Sequence, residues 1–344
     1  MSVTDYSRAL LPSQHGAEQD GLTFVRTAPR QLVDRAAVAE VLITDWRQLG
    51  ADTFHLGAQW PRGHAFYTPL AGSWYDPLLV AETLRQASAL VGHLYYGVPD
   101  GHPSFIEALD VEVVPAALLL GQCPANVRLE VSCRDVRHQR GRLSSMTLEA
   151  DFLRGDTLRG DTFAGTGRLV LRFLEPPADQ GVPGQRYRVP DPRGGPSCRT
   201  GRSRVRDLPA LAEPVPAVVV GRLHEHDVVL GLDGRPSGPG ESSWQLRVDP
   251  SHPVLYDPLA GHVPPMLFLE AARQAAQAVC APYRMLPVDV RSAFRAPADP
   301  ALPCRVTAMQ LPPQDAGEDA VVRVTATQDG RPVFDSVVVA SLCD

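Results

Sequence analysis

The chain has 344 residues, of which 44% are hydrophobic, enough for about two domains with cores of their own. No run of 18 or more apolar residues is present, which predicts no membrane-spanning helix. The first residues lack the pattern of a secretory signal, so we expect a cytoplasmic protein. The net charge of −6 gives no reason to expect a nucleic-acid partner.

Arginine supplies all 33 basic residues, and the chain contains no lysine. Enzymes that form a Schiff base, anchor pyridoxal phosphate or use a P-loop lysine are therefore excluded. The six cysteines form no Cys-x-x-Cys pair and no zinc spacing. We predict neither a metal site nor a cofactor.

The first part of the chain predicts a mobile tail over residues 1–20 and a folded unit over residues 21–174. Its helix begins at Asp76-Pro77, where the aspartate caps free amides and the proline fits the first turn. Partly alternating apolar residues predict the strands that follow. These strands are 106–114, 127–136, 145–153 and 166–174.

Residues 175–214 are rich in proline and glycine and contain seven arginines. Such a composition is typical of a solvated linker between domains. The alternative is a landing patch for an acidic partner protein, because basic clusters steer acidic partners.

Residues 215–344 predict a second unit with the same content. A β-segment (217–230), a turn (231–241) and a strand (243–249) precede a helix that begins near Pro264-Pro265. Strands are then expected at 287–296, 303–311, 319–328 and 332–342.

The two units are related by an internal repeat. Glu82-Thr-Leu-Arg-Gln-Ala87 recurs as Glu270-Ala-Ala-Arg-Gln-Ala275, an offset of 188 residues. Upstream, Tyr67-Thr-Pro-Leu-Ala-Gly72 matches Tyr256-Asp-Pro-Leu-Ala-Gly261 at an offset of 189. This period is too long for a solenoid and indicates two copies of one domain.

Each unit combines about five strands with one helix that is apolar nearly all round, as a buried central helix is. A sheet wrapped around such a helix is the hot-dog fold. The sequence therefore predicts an α+β protein, a double hot-dog in which two fused repeats pair within one chain.

Each helix carries a Glu-x-x-Arg-Gln triplet on one face. Glu82, Arg85 and Gln86 share a face about 100° wide, and Glu270, Arg273 and Gln274 repeat it. One interpretation is a Glu–Arg pair that satisfies itself on an exposed stripe. The other is a functional site, favoured because the costly charges occur twice on apolar helices.

These motifs resemble the A-factor biosynthesis (AfsA) family. The resemblance runs through Ala39-Glu-Val-Leu-Ile-Thr-Asp-Trp46, Ala58-Gln-Trp-Pro-Arg-Gly-His-Ala-Phe-Tyr67 and Tyr75 to Gln86. It continues from His252 through His262-Val-Pro-Pro-Met-Leu-Phe-Leu-Glu-Ala-Ala-Arg-Gln-Ala275. It covers nearly the whole chain except the tail and the linker.

The resemblance implies an acyltransferase. It would join a 3-oxoacyl group from an acyl carrier protein to dihydroxyacetone phosphate, and the ester would close to a butenolide phosphate. Such products are precursors of γ-butyrolactone, butenolide or furan autoregulators. The chain departs from the family pattern at Trp74-Tyr75-Asp76-Pro77, Asp257-Pro258-Leu259 and Val263-Pro264-Pro265. The histidines expected there are absent, which argues against a dehydratase-like mechanism.

A catalytic pair of Glu82 and Arg273 across the two halves is our first hypothesis. Glu82 would take the hydroxyl proton if an apolar site raised its pKa. Arg273 would bind phosphate, and free amides at the helix start after Asp76 would bind the thioester oxygen. The further substrate-binding candidates are Arg85, Gln86, Glu270, Gln274, Asp76, Tyr75 and His262.

Several alternatives stay open at this point. His64 and His252 are either loop histidines bonded to the backbone or site residues. Trp60 either packs in the core or lines an entrance. The protein is alternatively a hot-dog thioester hydrolase or hydratase, or a non-catalytic protein that binds an acyl ligand.

Overall fold

The computed structural model describes residues 21–68, 72–156, 160–174, 210–256, 262–312 and 320–343. The predicted tail and residues 175–209 of the predicted linker lie outside these ranges. The repeat and linker boundaries therefore stay predictions.

The described ranges contain two central α-helices: α1 (Leu78–Tyr95) and α2 (Pro265–Cys280). The side chain of Asp76 caps α1, since its Oδ1 accepts the Leu78 amide at 2.9 Å, as predicted. Nearly all of both helices is buried, which explains why their apolar residues are not confined to one face. No helix in the described ranges is long and apolar enough to cross a membrane.

Within the described residues, twelve antiparallel strands form one continuous sheet. In chain order they are β1 (Ile43–Gly50), β2 (Thr53–Trp60), β3 (Ser104–Val113), β4 (Ala125–Gln139), β5 (Arg142–Asp156), β6 (Gly160–Phe173), β7 (Leu230–Leu232), β8 (Glu241–Leu246), β9 (Arg284–Phe294), β10 (Cys304–Leu311), β11 (Ala320–Gln328) and β12 (Arg331–Cys343). Their order across the sheet is β1-β2-β4-β5-β6-β3-β9-β12-β11-β10-β8-β7.

The second half of this order repeats the first in reverse, so the two repeats are joined by one strand pair. β3 pairs with β9 at this seam, where Val111 lies opposite Val290. Helix α1 packs on the strands of the first half and α2 on those of the second. The predicted double hot-dog architecture, an α+β fold, is confirmed.

The expected β-segment over 217–230 is wrong for most of its length. Residues 217–221 turn, the backbone at Gly221 is left-handed (φ 69°), and a short 3-10 helix covers Glu225–Asp227. The apolar run that suggested a strand does not pack as one, because Val218 is 83% exposed. The hairpin of β1 and β2, which the strand analysis left out, supplies one edge of the sheet.

Candidate functional site

The buried Glu82 carboxylate is the centre of a group of four side chains, the first cluster: Arg35, Glu82, Arg85 and Gln86. Arg85 donates to it from Nε and Nη2, both at 3.0 Å. Arg35 donates from Nε at 2.8 Å and forms an ion pair through Nη2. Gln86 Nε2 completes the set at 2.7 Å. The predicted triplet face therefore exists, but it is largely buried, and a second arginine pairs with its glutamate.

Arg35 reaches this position from a short 3-10 turn ahead of the sheet. The turn ends at Asp34, whose backbone is left-handed (φ 51°). Arg35 Nη1 donates to the Val254 carbonyl of the second repeat at 3.1 Å. The first cluster thus lies at the contact between the two repeats.

A second cluster repeats this arrangement with Arg222, Glu270, Arg273 and Gln274. Arg222 Nε and Arg273 Nη2 donate to Glu270 Oε1 at 2.8 and 2.7 Å, and Arg273 Nε donates to Oε2 at 2.9 Å. Gln274 Nε2 donates to the same carboxylate. Arg222 Nη1 crosses to the first repeat, where the Phe66 carbonyl accepts at 2.6 Å.

The two glutamines tie each cluster to the chain segment that enters the first strand of its repeat. Gln86 Oε1 accepts the Leu42 amide at 2.8 Å, and its Nε2 donates to the Glu40 carbonyl at 2.7 Å. Gln274 does the same with the Val229 amide at 2.9 Å and the Asp227 carbonyl at 2.7 Å.

Both glutamates are held as carboxylates. Burial by itself would raise the pKa of Glu82, but Arg35 and Arg85 outweigh it and lower the pKa to about 2. Glu270 likewise has a pKa of about 2, because Arg222 and Arg273 outweigh its burial. The raised pKa that Glu82 would need as a base is therefore absent, because two guanidinium groups stabilise its ionised form.

Two further expectations about this site are corrected by the contacts. Within the described residues, Glu82 pairs with Arg35 and Arg85, and Arg273 pairs with Glu270, so no direct Glu82–Arg273 pair forms. The amides in the first turn of α1 are also occupied. The side chain of Asp76 takes the Leu78 amide and its carbonyl takes the Leu79 amide at 2.9 Å.

Asp76 differs from these paired carboxylates. It is fully buried, and its Oδ2 has no hydrogen-bond partner among the described residues. Burial raises its pKa, although Arg273 and Arg222 of the second cluster act in the opposite direction. At the equivalent position of the second repeat stands Pro264. The carboxylate is therefore a feature of the first repeat alone.

Tyr67 provides a second buried and unpartnered oxygen in the same region. Its hydroxyl has no hydrogen-bond partner within the described residues. Burial raises the pKa of this phenol, and the charges of Glu82, Arg35 and Asp76 also act on it. Arg35 of the first cluster and Asp76 beside the second therefore belong to one electrostatic neighbourhood.

The two loop histidines adopt equivalent conformations. His64 Nδ1 accepts the amides of Phe66 and Tyr67 at 3.0 and 3.1 Å. His252 Nδ1 accepts the amides of Val254 and Leu255 at 3.2 and 3.0 Å. These contacts support the interpretation of backbone-bonded loop histidines. In this turn Tyr67 therefore corresponds to Leu255, not to Tyr256.

Tyr75 and His262 are brought to neither cluster. The Tyr75 ring lies in the core of the first repeat, 5.8 Å from the Trp60 ring, and Arg154 lies over it. The His262 ring lies 6.5 Å from that of Phe105, a residue of β3. Trp60 packs fully buried and donates to Thr83 Oγ1 at 3.0 Å, as the packing interpretation predicts.

Arg35 and Arg222 were missed by the sequence analysis. They precede the compared segments, and an isolated arginine in a loop carries no periodicity. A signal was nevertheless present, because Pro29 and Arg35 recur as Pro216 and Arg222 at an offset of 187 residues. Extending the comparison of the two halves upstream would have identified both.

Comparison with known proteins places this architecture in a family. The A-factor biosynthesis hotdog domain matches residues 17–169 and again 204–344. Three relatives share the name 2-oxo-3-(phosphooxy)propyl 3-oxoalkanoate synthase. The protein from Streptomyces virginiae is 39% identical over 312 residues, which cover 91% of this chain and 97% of its own. That from Streptomyces griseus is 38% identical, with 90% and 93% covered. That from Streptomyces coelicolor is 36% identical, with 89% of each chain covered. The chain belongs to the A-factor biosynthesis hotdog domain family.

Proposed function

We propose that the protein is an acyltransferase that joins a 3-oxoacyl group to dihydroxyacetone phosphate. The relatives' shared name describes an ester of a 3-oxoalkanoate, and its alcohol part is a phosphorylated three-carbon ketone. The observation that carries the proposal at this site is the unpartnered Asp76 Oδ2, buried beside the arginines of the second cluster.

Asp76 is the proposed general base. A carboxylate with one oxygen that accepts no hydrogen bond among the described residues and with a raised pKa is more basic than Glu82 or Glu270, each held near a pKa of 2. The paired glutamates keep the arginines in place. In this proposal Asp76 takes the role of base that the first hypothesis gave to Glu82, and Glu82 becomes a positioning residue.

Arg273 is the proposed stabiliser of negative charge in the transition state. Its Nε and Nη2 donate to Glu270, whereas Nη1 has no acceptor among the described residues. The charge of Asp76 acts on this guanidinium. Fixed donors in a buried site stabilise a developing oxyanion without reorganisation.

The proposed reaction balances without a cofactor. Asp76 accepts the hydroxyl proton as the acceptor oxygen attacks the thioester carbonyl, and the collapsing oxyanion expels the thiolate, which takes up that proton. The methylene between the two carbonyls of the ester then loses a proton, and the carbanion attacks the ketone of the triose, whose oxygen takes up a proton. This new carbon–carbon bond closes the ring, and loss of water from the resulting alcohol gives the double bond of the butenolide phosphate.

An acyl carrier protein is the proposed source of the donor. Support comes from the seven arginines of residues 175–214, because clustered positive charge steers acidic partners. Raising the salt concentration should lower kcat/KM for the carrier-protein thioester more than for the same acyl group on a small thiol.

The test incubates the protein with a 3-oxoacyl thioester and dihydroxyacetone phosphate and follows products by mass spectrometry. We expect the phosphorylated ester and its ring-closed product. Release of free acid alone would overturn the proposal in favour of a hydrolase. Thioester binding without turnover would overturn it in favour of a non-catalytic binding protein.

The variant Asp76→Asn tests the base. Asparagine keeps an oxygen that accepts the Leu78 amide, so the helix cap is retained. We expect kcat to fall about 10²- to 10⁴-fold. Asp135→Asn is the matched control, because Asp135 is exposed and asparagine tolerates its left-handed backbone (φ 49°). Full activity of a folded Asp76→Asn protein would contradict the assignment.

A further inference from the structure

The two clusters differ in the residue that covers the arginine contributed by a loop, which is Arg35 in the first cluster and Arg222 in the second. In the second cluster the Phe66 ring lies 4.0 Å from the guanidinium carbon of Arg222. In the first cluster the equivalent residue is Val254, whose carbonyl binds Arg35 as that of Phe66 binds Arg222. A valine cannot cover a guanidinium as a phenyl ring does. Arg35 is accordingly 9% exposed, whereas Arg222 is 4% exposed.

A cleft of about 190 Å³ opens over Arg35. The first repeat contributes residues 35–37 and Glu40 to its walls, and the second contributes residues 250–254 and Tyr256. This space corresponds to about six water molecules, which is room for a phosphate group and the carbon atoms attached to it.

Arg35 retains hydrogen-bonding capacity toward this cleft. Among the described residues, three of its five N–H donors are directed at Glu82 and the Val254 carbonyl. One N–H on each terminal nitrogen remains. A planar guanidinium with two available donors suits the oxygens of a phosphate monoester.

We propose that this cleft binds the phosphate group of the acceptor, and that Arg35 is the residue that recognises it. The proposal rests on the proposed function, which supplies a phosphorylated triose as substrate. It goes further by assigning the phosphate to one of two equivalent positions and by naming Val254 as the residue that keeps this position open.

The acidic residue in the cleft wall limits where the phosphate binds. Glu40 Oε2 lies 3.3 Å from His64 Nε2. His64 Nδ1 accepts backbone amides, so its proton resides on Nε2 and faces Glu40. The phosphate is therefore expected on the Arg35 side of the cleft, away from Glu40.

Calorimetric titration of dihydroxyacetone phosphate into the protein, with no thioester present, tests the cleft directly. Val254→Phe places over Arg35 of the first cluster a ring like the one that Phe66 provides over Arg222 of the second cluster. Ala37→Leu fills the cleft from its exposed wall without altering the core. Ala39→Leu is the matched control, because Ala39 is exposed in the same short segment but does not line the cleft.

We expect each cleft-filling variant to raise the Kd for dihydroxyacetone phosphate by at least about tenfold, and the control to stay within about twofold of wild type. Unphosphorylated dihydroxyacetone should bind at least about tenfold more weakly than its phosphate ester. Wild-type affinity in both cleft-filling variants, or equal affinity for the two trioses, would overturn the proposal.

The same variants separate this proposal from the reaction itself. If no ester is made but the cleft-filling variants raise the Kd for dihydroxyacetone phosphate as expected, the cleft assignment is supported and the proposed acyl transfer is rejected. If ester is made and the cleft-filling variants leave the KM for dihydroxyacetone phosphate unchanged, the acyl transfer stands and the cleft assignment falls.

Discussion

Replacing Glu270 by glutamine removes the only carboxylate that Arg222 and Arg273 share within the described residues, and it leaves two guanidinium groups buried. A carboxyl group whose pKa falls from 4.5 to about 2 gains about 3 kcal/mol for its ionised form, at about 1.4 kcal/mol per pKa unit. Breaking a buried ion pair at one partner typically costs about 3–5 kcal/mol. We therefore expect Glu270→Gln to lower the free energy of unfolding by about 3 kcal/mol at pH 7.

Urea unfolding followed by tryptophan fluorescence measures this loss, since Trp60 is fully buried in the native state. Glu241→Gln is the control, because Glu241 is exposed. The stabilisation from ionised Glu270 is fully present above the unfolded-state pKa of 4.5 and is lost as the pH falls through about 2. The difference between wild type and variant should therefore shrink below about pH 4.5. A variant as stable as the control at pH 7 would refute the proposed electrostatic role.

Two further predictions concern other parts of the first repeat. Both ring nitrogens of His93 face acceptors, the Val98 carbonyl at 2.8 Å and Asp34 Oδ1 at 3.1 Å, and its pKa is raised despite burial because Asp34 favours the charged ring. That stabilisation is present below the unfolded pKa of 6.5 and is lost as the pH rises through the folded pKa, so unfolding curves of wild type and His93→Gln should converge toward high pH. Gly165 has a φ of 148°, and a Cβ there would lie 2.1 Å from the Glu112 carbonyl oxygen. Gly165→Ala should therefore lower the thermal midpoint and reduce the free energy of unfolding by about 1–3 kcal/mol or more. The control Gly63→Ala should leave the midpoint unchanged, because a Cβ at Gly63 would meet open space.

The sequence was sufficient to predict the architecture because both helices combine strong apolar character with clear start signals. Asp76 and Pro77 placed the start of α1 within a residue or two of Leu78. The internal repeat then implied that each helix packs against an equivalent set of strands. The prediction of a β-segment over 217–230 was wrong because this segment has no such signals. Its valines have no period that distinguishes a strand from a turn.

The site was predictable only in part. Which residues share a helix face follows from 3.6 residues per turn, so the Glu–Arg–Gln triplets were found. Which group neutralises a glutamate depends on contacts distant in the chain, as with Arg35, 47 residues before Glu82. Because Arg35 pairs with Glu82, the pKa of Glu82 is lowered and not raised. Periodicity describes one element at a time, whereas a pKa depends on everything packed around it.

The seam between β3 and β9 has a consequence for how such a site arises. In a dimer of identical chains, any substitution appears twice, once in each symmetry-related copy. Here one polypeptide supplies both halves, so Asp76 exists without a second aspartate at Pro264, and Phe66 closes one position while Val254 leaves the other open. Because both halves belong to one polypeptide, each position can carry its own residue, and the proposed site needs no matching copy in the other half.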